Sequence, residues 1–133
     1  MYRGSCLCGA VKYEVRGEFG AGYFCHCSRC RKATGSAFAA SALVATKDFV
    51  VIEGNEALKS FSVKGMHRVF CSHCGSPIIS RRDAMPEAVR VRLGTLDSPL
   101  ERGPLGHIYT DSKANWFEIH DDLPQYSELP PSG

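Results

Sequence analysis

The chain has 133 residues, of which 44% are hydrophobic, and its formal net charge is +2. The length is near the commonest domain size and the hydrophobic content excludes a disordered chain, so we expect a single domain over residues 1–133. The near balance of basic and acidic residues provides no global field that would attract nucleic acid or an anionic membrane.

The predicted elements are short and mostly β. Val11, Tyr13 and Val15 alternate with polar neighbours, as in a half-buried strand. Further strands are predicted at 38–45, 49–53, 58–63, 67–70, 78–80, 88–93 and 106–109. Many short strands separated by Gly and Pro turns predict a mainly β fold, closed by metal where its core is thin.

Two other segments break the β pattern. A single helical turn is expected over 31–36 and ends at Gly35, because glycine readily adopts the left-handed conformation that stops a helix. From Asp121 the chain is Pro-rich, so we expect an extended tail over 121–133 with a loose end at 130–133.

Nothing in the sequence indicates a membrane span or a targeting segment. Residues 1–5 lead to Cys6 without an apolar stretch, and the longest nearly apolar run, 37–45, is far shorter than the roughly 20 residues of a membrane helix. We therefore expect a cytoplasmic protein without membrane contact. The helix and ligand spacing of a DNA-reading zinc finger are absent, which argues against nucleic acid as a partner.

Seven cysteines occur in three groups. The groups are Cys6-Leu7-Cys8, Cys25-His26-Cys27-Ser28-Arg29-Cys30 and Cys71-Ser72-His73-Cys74. An odd number of cysteines in such close pairs fits a secreted disulfide scaffold poorly, and 71–74 lacks the βαβ surroundings of a thioredoxin-type redox motif. Soft divalent metals prefer thiolate ligands, so the spacing predicts metal binding, with zinc as the metal.

The seven thiols divide most naturally into four and three. A structural zinc site takes four ligands in a tetrahedron, and neither Cys6 and Cys8 nor Cys71 and Cys74 can supply four alone. We therefore expect the two pairs to share one zinc that ties remote parts of the chain together. In a rival division, Cys71 and Cys74 join two of the central thiols, and the remaining three stay unpaired in two places.

The central triplet, Cys25, Cys27 and Cys30, would then bind a second zinc with one position open, as in catalytic sites. With only three protein ligands, this metal is expected to be the more labile one. The alternative is a second structural site, completed by a histidine. The candidate histidines are His26, His67, His73 and His107.

Charge indicates what such a triplet could do. Three thiolates on a dication leave a net charge of −1, which weakens Lewis acidity and favours binding of a further thiol over hydrolysis. Arg29, Arg31 and Lys32 surround or follow the last thiol. They could offset this charge, anchor a carboxylate of an anionic substrate, or form ordinary solvated surface.

Four motifs together resemble the glutathione-dependent formaldehyde-activating enzymes, a family that also includes centromere protein V. The resemblance rests on motifs along most of the chain: Gly4-Ser5-Cys6-Leu7-Cys8-Gly9-Ala10-Val11, Cys25-His26-Cys27-Ser28-Arg29-Cys30-Arg31-Lys32, Phe70-Cys71-Ser72-His73-Cys74-Gly75, and His107-Ile108 with Lys113-Ala114-Asn115-Trp116. The order of the cysteine groups makes this resemblance more specific than any single C-x-x-C.

The resemblance implies a fold of coiled antiparallel β-sheets, similar to that of Mss4-like zinc proteins. It implies that Cys6, Cys8, Cys71 and Cys74 hold a structural zinc and that the triplet holds a catalytic zinc. The family activity is condensation of formaldehyde with glutathione, a carbon–sulfur lyase reaction. Two functions therefore stay open: an enzyme acting on a small thiol and an aldehyde, or a zinc-stabilised binding module without catalysis.

Overall fold

The structure is a computed structural model that describes residues 1–131, and it is mainly β, as the sequence predicts. The described part contains ten strands: β1 (Tyr2–Ser5), β2 (Lys12–Val15), β3 (Gly22–Cys25), β4 (Ala39–Ala45), β5 (Phe49–Glu53), β6 (Leu58–Val63), β7 (Met66–Cys71), β8 (Pro77–Arg82), β9 (Met85–Arg92) and β10 (Gly106–Ile108). One α-helix, α1 (Ser28–Thr34), accompanies them. The strands β1 and β3 were not predicted, and the others differ from their predicted ranges only at the ends.

The strands form two sheets. The small sheet has the order β1-β2-β5 and is antiparallel throughout. The large sheet has the order β10-β3-β4-β9-β8-β7-β6, and all its neighbours are antiparallel except the parallel pair β10–β3. The expected antiparallel fold is therefore confirmed, with one parallel pair at the edge of the large sheet.

Buried side chains from both sheets make one core. Tyr13 and Val15 come from the small sheet, while Val44, Val89 and Val91 come from the large sheet. All five are nearly or fully buried, so the alternating patterns in β2 and β9 correctly predict their inward-facing residues. The core thus occupies one face of the large sheet, and the alternate residues of its strands project to the other face.

The helix begins earlier than predicted. Cys27 is its N-cap residue, and Cys27 Sγ accepts a hydrogen bond from the backbone N–H of Cys30 at 3.4 Å. Gly35 ends the helix with φ = 64°, as expected for a glycine in the left-handed region. The central cysteine motif therefore forms the start of α1. No helix of residues 1–131 has the length and apolar character needed to cross a membrane.

The segment after Asp121 lies along β10. The backbone N–H of Tyr126 donates to the carbonyl of His107 at 2.9 Å, and the N–H of His107 donates to the carbonyl of Pro124 at 2.8 Å. Residues 124–126 of the predicted tail are therefore hydrogen-bonded to the sheet edge. Of the loose end predicted at 130–133, residues 132 and 133 lie outside the described part.

Candidate functional site

Four cysteine sulfurs from two remote parts of the chain lie together. Cys6 and Cys8 follow β1, Cys71 ends β7, and Cys74 lies in the turn before β8. Their Sγ atoms all lie within 4.8 Å of one another, with 3.6 Å between Cys6 and Cys8 and 3.9 Å between Cys8 and Cys71. This group, called the four-thiol cluster below, could hold a metal ion in a closed tetrahedral site.

Two similar turns bring these thiols into position. The N–H of Gly9 donates to the carbonyl of Cys6 at 3.1 Å, and the N–H of Gly75 donates to the carbonyl of Cys71 at 2.7 Å. Both glycines have positive φ, 80° and 81°, a conformation in which a side chain would be strained. Glycine directly after each cysteine pair therefore lets the chain turn tightly enough to present two sulfurs on one side.

Ser76 links the two turns. Its Oγ accepts a hydrogen bond from the N–H of Leu7 at 2.9 Å and lies 3.3 Å from Cys74 Sγ. This contact is the main cause that lowers the pKa of the Cys74 thiol to about 5, because the hydroxyl can donate to a thiolate. A readily ionised thiol suits metal ligation, which requires the thiolate form.

The second group is the triplet. Cys25 is the last residue of β3, Cys27 caps α1, and Cys30 lies in the first turn of that helix. All three are half-buried, and their Sγ atoms lie within 4.8 Å of one another. A hydrogen bond from Cys25, followed in size by one from Cys30, lowers the pKa of the Cys27 thiol. The triplet could also hold a metal ion, but it supplies only three ligands.

None of the described histidines or carboxylates joins the triplet within the same mutual distance. His26 points elsewhere, and its Nε2 lies 2.8 Å from His107 Nδ1. His67 is hydrogen-bonded to Asp83, and His73 is exposed in its turn. The geometry therefore disfavours the alternative in which one of the four candidate histidines completes a second structural site.

His26 and His107 instead form a hydrogen-bonded chain with Asp121. His107 Nε2 lies 2.9 Å from Asp121 Oδ2. Because a carboxylate only accepts, we assign this proton to His107 Nε2, which leaves Nδ1 to accept from His26 Nε2. Burial is the main cause that lowers the pKa of His26 to about 4, so this ring is neutral near pH 7. This chain connects the segment after β10 to the triplet turn.

Aromatic rings pack behind the triplet turn. Phe38 lies edge-on to Phe24 with 4.9 Å between ring centroids, and 5.6 Å from Phe117. The ring of His26 lies 5.4 Å from that of Phe38. These contacts hold the ring of His26 on the inner side of the turn. The sulfurs of Cys25 and Cys27, on either side of it in the chain, therefore face away from these rings.

The predicted anchoring residues occupy different environments. Arg29 and Lys32 are exposed on α1, which is compatible with solvated surface as well as with a substrate contact. Arg31 is half-buried, and its Nε is buried without a hydrogen-bond partner. Within residues 1–131, none of these three cations forms an ion pair.

Sequence reasoning missed further cations near the triplet. Arg90 and Arg92 project from β9 on the face opposite the core, which is also the face on which Cys25 lies in β3. Arg92 is only 7% exposed. The alternation in β9 assigns these arginines to a different face from Val89 and Val91, but only the sheet order shows that this face also carries the triplet.

Comparison with known proteins agrees with this geometry. The family model for the glutathione-dependent formaldehyde-activating enzyme matches residues 1–112, which include both thiol groups. A protein of Halomonas elongata, named as a candidate enzyme of this type, is 32% identical over 127 residues that cover 90% of this chain and 81% of that protein.

A solved structure extends the comparison to the fold. The crystal structure of a Rhodobacter sphaeroides protein matches with a TM-score of 0.63 and 30% sequence identity, and the match covers 75% of this chain and 92% of that chain. The family model thus covers most of the chain, and the Halomonas relative is matched over 81% of its own length at 32% identity. The chain therefore belongs to the family of glutathione-dependent formaldehyde-activating enzymes.

Proposed function

We propose that this chain is a zinc-dependent enzyme of the carbon–sulfur lyase type, which joins a small thiol to formaldehyde or a related aldehyde at the triplet. Family membership supports glutathione as the thiol. The observation that carries the proposal is the threefold geometry: three sulfurs lie together, and no fourth candidate ligand of residues 1–131 joins them. A metal with three protein ligands keeps a position for substrate, whereas a metal with four does not.

Two zinc sites with different roles follow from this proposal. The four-thiol cluster would hold a structural zinc, and the triplet a more labile one. Zinc at the triplet would supply ionisation of the substrate thiol, which at a free pKa near 8.5 is only a few per cent thiolate at neutral pH. Arg31 would anchor a carboxylate of the thiol substrate, because the buried Nε of Arg31 lacks a hydrogen-bond partner. Arg29 and Lys32 are further candidates for this contact.

The reaction itself is an addition. The thiol loses its S–H bond, a C–S bond forms to the carbonyl carbon, and the carbonyl oxygen takes up a proton to become a hydroxyl, so no oxidant or reductant is required. Formaldehyde is strongly electrophilic and adds thiols unaided. The protein therefore has to hold the two reactants together and oriented, which is the contribution that proximity makes to a bimolecular step.

The test is exchange spectroscopy on formaldehyde plus glutathione with the zinc-loaded protein. We expect the native chain to accelerate adduct exchange and Cys27→Ser to lose the acceleration. Ser28→Ala is the matched control, because Ser28 is the exposed neighbour of Cys27 in the same turn and supplies no thiol. Equal rates for the native chain, Cys27→Ser and buffer would contradict the enzyme proposal.

That outcome would favour the second candidate, a zinc-stabilised binding module without catalysis. One observation supports it: β6 is an edge strand of the large sheet and exposes Phe61 and Val63, which are 63% and 45% accessible. Exposed edge strands with apolar side chains can pair with another chain. The threefold triplet nevertheless favours the enzyme, since a purely structural zinc would gain from a fourth ligand.

A further inference from the structure

Three arginines lie close together on the face of the large sheet opposite the core. Arg90 in β9 and Arg68 in β7 both stand opposite Ser80 in the strand between them. Residues directly opposite each other in antiparallel strands share a face, so the two arginines flank Ser80 in one row. Arg92 is two residues from Arg90 along β9 and therefore lies on the same face. We call Arg68, Arg90 and Arg92 the sheet arginines.

The same face of the large sheet carries Cys25 of the triplet. Arg92 stands opposite Ser41 in β4, and Ser41 stands opposite Tyr23 in β3. Cys25 is two residues beyond Tyr23 and hence on the same face. Two strand spacings separate β9 from β3, roughly 10 Å, so an arginine side chain can extend over the surface between the strands toward the thiols.

The sheet arginines lack carboxylate partners. None of them takes part in an ion pair within residues 1–131. Arg92 Nη1 donates to Ser41 Oγ at 2.6 Å, but Arg92 Nε and Arg68 Nη1 are buried without any hydrogen-bond partner. Burial, together with nearby positive charge, lowers the pKa of Arg92 and of Arg90. Buried cations with unused donors are unfavourable unless an anion binds them.

The triplet does not account for all of this charge. Cys25 lies on the same face of the sheet as Arg90 and Arg92, so negative charge at the triplet would attract both guanidinium groups. With zinc bound, however, three thiolates leave a single net negative charge. Three guanidinium groups and the half-buried Arg31 exceed that charge, so donors and positive charge are left for a further anion.

We propose that Arg68, Arg90 and Arg92 form an anion site that binds a carboxylate of the thiol substrate while its sulfur occupies the triplet. The inference rests on the proposed function, and it assigns the side chains that would recognise a carboxylate of the thiol substrate. Guanidinium groups present two parallel N–H donors that match a carboxylate, and such charge-assisted bonds are stronger than neutral ones. The sheet arginines would therefore select for a thiol that carries a carboxylate at a fixed distance from its sulfur.

The probe for the test is S-methylglutathione, which keeps both carboxylates of glutathione but has no free thiol. Its binding to the zinc-loaded chain, followed by calorimetry, is compared with binding of its diethyl ester. We expect the ester to bind at least about tenfold more weakly, because a hydrogen bond to a charged group is lost. Binding of this probe does not require a free thiol, so it can succeed even where the proposed catalysis fails.

Variants assign the effect to the arginines. Arg90→Gln and Arg68→Gln should each weaken S-methylglutathione binding about tenfold and abolish the preference for acid over ester. Arg90→Lys should keep part of the affinity, because it keeps the charge but not the planar pair of donors. Arg81→Gln is the control and should bind within about twofold of the native chain, since Arg81 is exposed on the adjacent position of β8.

Two results would overturn the inference. Equal affinity for the acid and the ester is one, since it would mean that no carboxylate is recognised. The other is unchanged binding in Arg90→Gln and Arg68→Gln together with weaker zinc binding, which would assign the arginines to charge compensation of the thiolates. The control is the melting temperature of each variant in the presence of zinc. An unchanged melting temperature would show that a loss of binding does not come from unfolding. Loss of catalysis in Cys27→Ser with an intact preference for the acid would sustain the anion site.

Discussion

Removal of two thiols from either group should separate a structural site from a reactive one. We compare two double variants. The first combines Cys6→Ser with Cys8→Ser, and the second combines Cys25→Ser with Cys27→Ser. Both double variants lose two sulfurs and leave too few thiolates to retain a zinc ion. They differ in the length of chain that the metal closes: Cys8 and Cys71 are 63 positions apart, whereas Cys25 and Cys30 belong to one turn.

The difference in the length of the closed loop determines how much unfolding free energy each double variant loses. In the chain-entropy treatment of a cross-link, closing a loop of this length stabilises the folded state by about 4 kcal/mol, and closing a loop of about five residues by about 2 kcal/mol. We therefore expect the first double variant to lose at least about 2 kcal/mol more unfolding free energy than the second. Against a total stability on the order of 5–15 kcal/mol, this is a large effect. The corresponding difference in Tm is on the order of 8 °C.

The assay is urea unfolding in excess zinc, followed by far-UV circular dichroism. Elemental analysis of the same samples should show that each double variant has lost one zinc per chain relative to the native protein. Equal destabilisation by the two variants, or a greater loss from the triplet, would refute the reasoning. The triplet would then be structural, and the enzyme proposal would lose its main support.

Two further predictions concern buried polar groups. Tyr13 is 1% exposed, and burial raises its pKa to about 12 from the ordinary 10. The folded state therefore keeps a proton that the unfolded state releases, and the free energy of unfolding should fall by about 2 kcal/mol between pH 10 and pH 12. Tyr13→Phe should lack this loss when urea midpoints are compared across the range. Asp121→Ala removes the acceptor of His107, so the imidazole N–H protons of His26 and His107 should exchange faster with solvent in proton NMR spectra. Asp122→Ala, at the exposed neighbouring carboxylate, should leave these signals unchanged, and equal exchange in both variants would contradict the hydrogen-bonded chain.

Features that depend on neighbours in the chain are readable from the sequence. The alternation in β2 and β9 predicts the inward-facing residues, because successive side chains of a strand point to opposite faces. The spacing of Cys25, Cys27 and Cys30 predicts that their sulfurs lie together, because a single turn of backbone carries all three. Gly35 ends α1 as predicted, since its left-handed conformation is a local property. Only the beginning of that helix was misplaced, because a cysteine N-cap is not a usual start signal.

Contacts between remote segments were decided by the tertiary structure. The need for four ligands predicts that Cys6 and Cys8 share a metal with the other cysteine pair, but only the sheet order shows that these sulfurs lie beside those of Cys71 and Cys74. Likewise, strand register places Arg68 beside Arg90, and the chain returning along β10 places Asp121 against His107. No local pattern contains this information, because a shift of one residue in register would move every side chain of a strand to the other face. The sequence by itself therefore determined which residues could bind metal, and the packing of the strands determined which charges surround them.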